Sequence, residues 1–402
     1  MLVCYFTNVY PAPSHTTMRR EIIALEALGV GVIRVAARPF RGELVDPTDV
    51  AEAKNTSYTT ESLVRAATCL TRVALTRPLH LFKALGDVIR IGTQTKSGIW
   101  KNLMYLGQAC VLLQLANKCA HIHVNFGNAT SIAIYCRILG GPPVSLRIHG
   151  PEEFIDSTPS DWAWKIRHAA FLAPITEFGM KKVQSCVSPG RHPKIKLLRC
   201  GIEVALLTRG CDAAMRLPSE LNLVCIARLE SRKGHDVLLK ALHRLKQDGL
   251  TVKLTIIGDG SCRASLKKQA RELSLSESIH FAGWQAGPEV ILSMRNARVV
   301  VLPSFSEGLP IVLMEALAIG RAVVTTRVDG IPELIFPGKT GWLVEAGDVS
   351  GLADALKSAL LTSDEDLLVL GRAGRSLVAR QHEVGSIMKE FVALIEASQD
   401  PL

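Results

Sequence analysis

Two carboxylates in the second half of the chain stand at a spacing that could serve one ligand. Glu307 and Glu315 are separated by seven intervening residues in the stretch ARVVVLPSFSEGLPIVLMEALAIGRAVVTT, which runs from Ala297 to Thr326. Ionised carboxylates only accept hydrogen bonds, so a pair of them suits vicinal hydroxyls. Gly308, Leu309 and Pro310 lead from Glu307 into an apolar helical run. A helix start presents free N–H groups and a partial positive charge, which suit a phosphate. Arg228 and Lys233 occupy a second strand-to-helix step, with Arg232 as an alternative cation. Cations there oppose the helix dipole, so they read as charge for a bound anion rather than as caps. A third step carries Gly258-Asp259-Gly260 and Arg263. This is an incomplete Gly-x-Gly-x-x-Gly fingerprint and is weak support for a dinucleotide site by itself.

The surrounding pattern supplies the elements that must hold these groups. Val299–Leu302 reads as a buried strand, Pro303 opens a loop, residues 310–319 read as a helix ended by Gly320, and 322–326 as a second strand. That is a βαβ unit. It puts Glu307 at the carboxyl end of a strand, where open α/β sheets bind ligands. Strands are expected at 221–226, 253–257 and 278–282, with a helix over 236–246 behind Lys233. The first half opens the same way. A strand at 2–6, a proline-bearing loop, a helix over 18–28 capped by Thr16 or Thr17, and a strand at 30–36 make a Rossmann-like start. A His-rich strand at 119–125 follows, then a helix at 129–139 ended by Gly140-Gly141. A strand at 143–148 delivers His149-Gly150, and a short strand is expected at 194–198. Asp364-Glu365-Asp366 sits at a helix start, where acids complement the dipole, so it reads as capping rather than as a metal motif.

Taken together, Glu-Gly-Leu-Pro followed by Glu315 resembles the EX7E signature of retaining, nucleotide-sugar-dependent glycosyltransferases of the GT-B fold, family 4. Ala227-Arg228-Leu-Glu-Ser-Arg-Lys233-Gly234 resembles that family's GRL-x-x-x-KG motif, with Ala227 in place of the usual Gly. The resemblance covers nearly the whole chain and is strongest over 221–350. It implies that Glu307 contacts the transferred sugar, that Glu315 binds the ribose hydroxyls, and that Arg228 and Lys233 clamp the diphosphate. Two cations would then neutralise the charge that grows on the leaving group. It also implies that Gly258 and the Gly308-Leu309-Pro310 backbone lie near the nucleotide, and that His149 faces the donor sugar from the first domain. The loop after the first strand lacks the Gly pair common in the family, so no phosphate contact is carried onto it. The implied fold is α/β, two Rossmann-like domains facing across a cleft. Residues 1–203 would form the acceptor-side domain, 204–220 a linker and 221–383 the nucleotide-sugar domain. Residues 384–402 would form a helix crossing back to the first domain.

Composition bounds the rest. At 402 residues and 48% hydrophobic, the chain is globular and suits two domains. No apolar run reaches the roughly 18 residues that a spanning helix needs, and the start of the chain has no basic region of a secretory leader. Ten cysteines include no Cys-x-x-Cys pair, so free thiols in a reducing compartment are expected and a zinc site is not. The net charge of +10 sits in the first half, and residues 54–118 alone carry nine basic and two acidic residues. There, apolar and basic residues recur at helical spacing, which reads as a pair of basic amphipathic helices on an anionic membrane. Only 5% of the chain is aromatic, with no interleaved stacking platforms, so nucleic acid is not an expected partner.

The expectation is therefore a metal-independent hexosyltransferase without a resident cofactor. It would use a nucleotide-diphosphate sugar as co-substrate and a glycan or lipid-linked acceptor. It would act in exopolysaccharide or cell-surface glycan synthesis, in the cytoplasm and peripheral on the inner face of the cell membrane. Three alternatives remain at this point. A nucleotide-sugar epimerase on the same fold would act without acceptor. An NAD(P)-dependent oxidoreductase would use Gly258 and Gly260 but lacks the third Gly and a well-placed ribose acid. A catalytically silent binding protein would keep the scaffold.

Overall fold

The computed structural model describes residues 1–398 except 13, 14, 43, 45, 95–97, 126–128, 151, 156, 157 and 209–216. The chain divides into two compact units, Ile202–Glu383 and the remainder, so that the final helix Val384–Ala397 belongs with residues 1–201. Each unit is built on one six-stranded parallel sheet.

In unit 1 the strands are β1 (Leu2–Val9), β2 (Gly31–Arg38), β3 (Thr56–Tyr58), β4 (His121–Val124), β5 (Val144–Ile148) and β6 (Phe171–Pro174), in the order β3-β2-β1-β4-β5-β6. In unit 2 they are β7 (Asn222–Ile226), β8 (Lys253–Ile257), β9 (Ile279–Gly283), β10 (Val299–Leu302), β11 (Ala322–Thr326) and β12 (Gly341–Val344), in the order β12-β11-β10-β7-β8-β9. Both follow the doubly wound order in which the first and fourth strands are neighbours. The central strands are apolar on both faces, as helices on both sides of a parallel sheet require. All four residues of β10 and all five of β11 are buried. The last helix completes the core of unit 1. Phe391 is fully buried there and sits 4.3 Å, ring to ring, from His123.

Several expectations need correction. The first helix is Thr16–Ala27, and its cap position is His15, which makes no side-chain cap bond; Thr16 is already inside the helix. Residues 194–198 are not a strand. Lys194 ends the 3-10 turn Pro189–Lys194, and only Ile195 bridges to Leu172. Within 204–220, Val204–Thr208 is helical, and 209–216 lie outside the described residues. The basic region holds three helices rather than two: Leu63–Thr76, Pro78–Gln94 and Gly98–Leu115. One side of these helices is core, through Val73, Ala84, Val88, Ile91 and Leu106. Another side leaves large apolar groups in solvent: Leu63 at 90%, Leu79 at 83%, Phe82 at 79% and Trp100 at 82% exposure. Among the described residues, no helix is long and apolar enough to cross a membrane.

Capping accounts for the acidic triplet. Ser363 Oγ accepts from the Asp366 amide at 3.1 Å, and Asp364, Glu365 and Asp366 fill the first turn of the helix Asp364–Gln381. Asp348 caps Val349–Leu361 through the Gly351 amide at 2.9 Å.

Candidate donor-binding site

In unit 2 the chain runs from β7 to β8 and β9 on one side, then returns to β10 on the other. The loops after β7 and β10 therefore diverge at the topological switch point, the place where open sheets of this kind take their ligands. Arg228 and Lys233 are in the first loop, Glu307 to Pro310 in the second, and Gly258 follows the adjacent β8.

These loops are locked together through the backbone. The Phe305 amide donates to the Arg232 carbonyl at 2.8 Å. Gly234 has φ +67°, and a Cβ there would come within 2.0 Å of the Pro303 carbonyl oxygen. Gly258 has φ +133°, and its Cβ would meet the Ala227 carbonyl oxygen at 2.0 Å. Only glycine permits either the conformation or the approach. The Leu229 amide donates to the Asp259 carbonyl at 2.9 Å, which ties the loops after β7 and β8.

On this frame Lys233 and Glu307 form an ion pair with Nζ to Oε1 at 2.5 Å, and both side chains are nearly buried. The same carboxylate oxygen accepts from Ser304 Oγ at 2.7 Å. The loop that carries Glu307 is held from below by Asp329. Its Oδ2 accepts from the Glu307 amide and from Ser306 Oγ, each at 2.9 Å. Asp329 itself has φ +45°, a strained value for a non-glycine residue that its short polar side chain helps it tolerate. Leu309 and Pro310 are buried and Gly308 is partly so, while Ile311–Ala318 is helical. Glu315 falls in the second turn of that helix, half-buried on an otherwise apolar element.

Arg228 is differently placed. It is about half exposed and pairs with Glu230 at 2.8 Å, and Glu230 also binds Arg232 at 3.1 Å. So the structure brings Lys233 directly onto Glu307, while Arg228 shares a loop carboxylate with Arg232. Sequence reasoning did not single out Asp329, Glu230 or Ser304. Asp329 lies 22 residues beyond Glu307, in the loop after β11, and only the adjacency of β10 and β11 brings it in. Glu230 could have been suspected from its place between the two arginines.

In unit 1, His149 follows β5 and is partly buried. Its Nε2 lies 2.6 Å from Asn125 Oδ1, and its amide donates to Glu153 Oε1 at 2.7 Å. An amide oxygen only accepts, so that ring nitrogen carries the proton. Burial lowers the imidazole pKa well below the usual histidine value, and the charge of Arg147 lowers it further. His149 is therefore a neutral hydrogen-bonding group. Arg147 is buried against Glu21 at 2.9 Å, and Glu21 accepts from Tyr5 at 3.2 Å. His121 and His123 are core residues. Both hydrogen-bond the hydroxyl of Ser145, at 2.8 and 2.7 Å, and His121 stacks on Phe171. Among the described residues no group of three or more His, Cys, Asp or Glu could hold a metal ion.

Comparison with known proteins agrees with this geometry. Residues 217–376, which contain the whole site of unit 2, match the glycosyl transferases group 1 family. The chain is 27% identical to the amylovoran biosynthesis glycosyltransferase AmsK of Erwinia amylovora, over 98% of this chain and 99% of that one. It is 28% identical to the putative colanic acid biosynthesis glycosyltransferase WcaL of Salmonella typhimurium, over 98% and 100%. Among solved structures, Anabaena HepE in complex with UDP superposes with a TM-score of 0.72 over 99% of this chain and 100% of that one. At 14% identity that likeness speaks for the fold, which is GT-B. With that fold, residues 217–376 of the chain match the glycosyl transferases group 1 family, and that segment runs through the switch-point loops of unit 2.

Proposed function

We propose that the protein transfers a hexosyl group, with retention of anomeric configuration, from a nucleotide-diphosphate sugar to a glycan or lipid-linked acceptor. The observation that carries this reading is the Lys233–Glu307 pair, held at the switch point of unit 2 by loops that only glycine can close. A diphosphate arriving at these loops would compete with Glu307 for Lys233. That would free the carboxylate for the sugar hydroxyls while the lysine takes the anion. Arg228, the more exposed cation, would swing from Glu230 to the second phosphate. The growing negative charge on the leaving group would then be met by side chains of this chain, with no obligate metal. Glu315, behind the Gly308-Leu309-Pro310 turn, would take the ribose hydroxyls, and Gly258 would let the nucleotide approach the backbone. His149 would set its backbone or its ring near a sugar hydroxyl.

The names of AmsK and WcaL support exopolysaccharide assembly as the setting. The exposed Leu63, Leu79, Phe82 and Trp100, set among basic residues, support attachment to the inner face of the cell membrane. Flotation with anionic and with neutral vesicles tests this attachment. Equal recovery in both would remove it.

The test of the reaction is single-turnover transfer from a panel of UDP-, GDP- and ADP-sugars by the wild type, Lys233→Ala and Glu307→Ala. Both variants are expected to stay folded and to lose turnover by orders of magnitude. Near-normal transfer by either would refute the assignment.

A further inference from the structure

Unit 1 has a strongly basic cavity at the amino-terminal ends of its strands, away from His149. It has a volume of about 470 Å³ and lies where the chain enters β5 and β6, beside Pro143, Ala169 and Ala170. Four cations line it: Lys83, Arg137, Arg167 and Lys194. A second cavity of about 370 Å³ adjoins it, sharing Arg167, and adds Arg90 and Arg191. Among the described residues, no acidic residue lines either cavity.

Cations often do no more than cap helices, and here part of the charge does so. Arg137 donates to the Gly141 carbonyl at 2.8 Å, and Lys194 donates to the Ala169 carbonyl at 2.7 Å. Two helix C-termini meet at this place, those of Thr130–Ile138 and Pro159–His168. Together they supply about one negative charge. That leaves most of six full positive charges without compensation. The carboxylate that reaches this group is Asp87, and it is already shared by Arg90 at 2.8 Å, His168 at 3.6 Å and the Trp164 indole N–H at 3.0 Å. Among the described residues, no carboxylate pairs with Lys83, Arg137, Arg167, Arg191 or Lys194. Lys194 shows the strain of this crowding. Burial lowers its pKa, and the charges of Arg191 and Arg137 lower it further. Clustered cations of this kind, unpaired and around a concavity, are stabilised by an anion with several acceptor oxygens.

We propose that the two cavities form one phosphate-binding trough, a site separate from the donor loops, for a ligand carrying a diphosphate or phosphodiester group. The helix Pro78–Gln94 connects the trough to the apolar surface. Lys83 and Arg90 line the cavities, while Leu79, Phe82 and Ile89 on the neighbouring stripe are exposed. A phospholipid headgroup could thus lie in the trough with its acyl chains beside that stripe; this source of phosphate rests on the membrane reading above, whereas the trough itself does not.

The experiment is calorimetric titration of the full-length protein with inorganic pyrophosphate, comparing wild type, Lys233→Ala and the double variant Lys83→Glu/Arg167→Glu. Both substituted residues of the double variant are exposed, and thermal melting checks that it is folded. A Lys194→Met variant serves as a second probe should it melt early. The expected result is a binding event that survives Lys233→Ala and weakens more than about tenfold in the double variant. An event lost in Lys233→Ala and untouched in the double variant would overturn the proposal, as would no binding outside the donor loops. A second arm floats the same proteins with phosphatidylglycerol vesicles. Loss of flotation in the double variant, reproduced in wild type by added pyrophosphate, identifies a lipid headgroup as the source. Unaltered flotation with lost pyrophosphate binding identifies a soluble phosphate. No flotation by any protein, with pyrophosphate binding intact, would remove the membrane reading and leave the trough standing.

Discussion

The residue that most repays a single substitution is Asp329. It takes no part in the ion pair, yet it fixes the backbone amide of Glu307 and the hydroxyl of Ser306. Asp329→Asn keeps an acceptor and tolerates the left-handed backbone. It removes the charge that makes these bonds strong, each worth about 1.5–3 kcal/mol. The expected outcome is a loss in kcat of about tenfold or more, with a melting temperature close to wild type. Unchanged kcat would mean that the loop holds its shape without Asp329. The buried histidines make a second prediction. Burial pushes the His121 pKa down to about 3, and burial with the charge of Lys233 pushes His235 to about 4. Unfolded, each would titrate near 6.5. Below that value the unfolded chain binds protons that the folded chain refuses, so stability falls as pH drops. Each histidine costs about 2 kcal/mol at pH 5. The urea midpoint should therefore fall steadily from pH 7 to pH 5, and a flat profile would contradict the burial of these rings.

At the scale of elements, the glycines join one loop to the next. Gly234→Ala forces a left-handed alanine, at a cost of about 1–2 kcal/mol, and drives its Cβ into the Pro303 carbonyl. The loop after β7 must shift away from the loop after β10, and Lys233 goes with it. Transfer should fall far more than stability, whose loss should read as a few degrees in Tm. Wild-type kinetics in this variant would show that loop contact is not needed. Much of this layout was legible in the chain itself. Strands β10 and β11 lie where their β-branched runs predict, because strands buried on both faces favour such residues. The helix starts after Lys233 and Pro310 were found to within one residue. What could not be read was set by tertiary contact. His15 stands at the cap position because the chain turns there on the Ala12 carbonyl. Residues 189–194 tighten into a 3-10 turn despite a pattern that suits a strand further on. Glu230 neutralises Arg228 and Arg232 only because the loop folds back on itself.

For the molecule as a whole, charge and hydrophobicity are divided between the units. Unit 2 carries the matched family segment and the ion-paired site, while unit 1 carries the positive excess and the exposed apolar helices. A chain ending at Glu383 should keep the sheet of unit 2 intact and lose that of unit 1. It would strip Ile387, Met388, Phe391 and Ile395 from a core in which all four are buried. Hydrogen exchange on this truncation should show protection in β7 to β11 and little in β1 to β6. Equal protection in both sheets would contradict the role given to the last helix.

That helix also fixes an order of events as the protein is made. Everything that unit 2 contains has been synthesised once Glu383 is joined, while the sheet that began at Leu2 still lacks the lid that shields Tyr5 and His123. The strands that precede unit 2 in the chain must therefore wait for a helix that follows it, and unit 1 matures second.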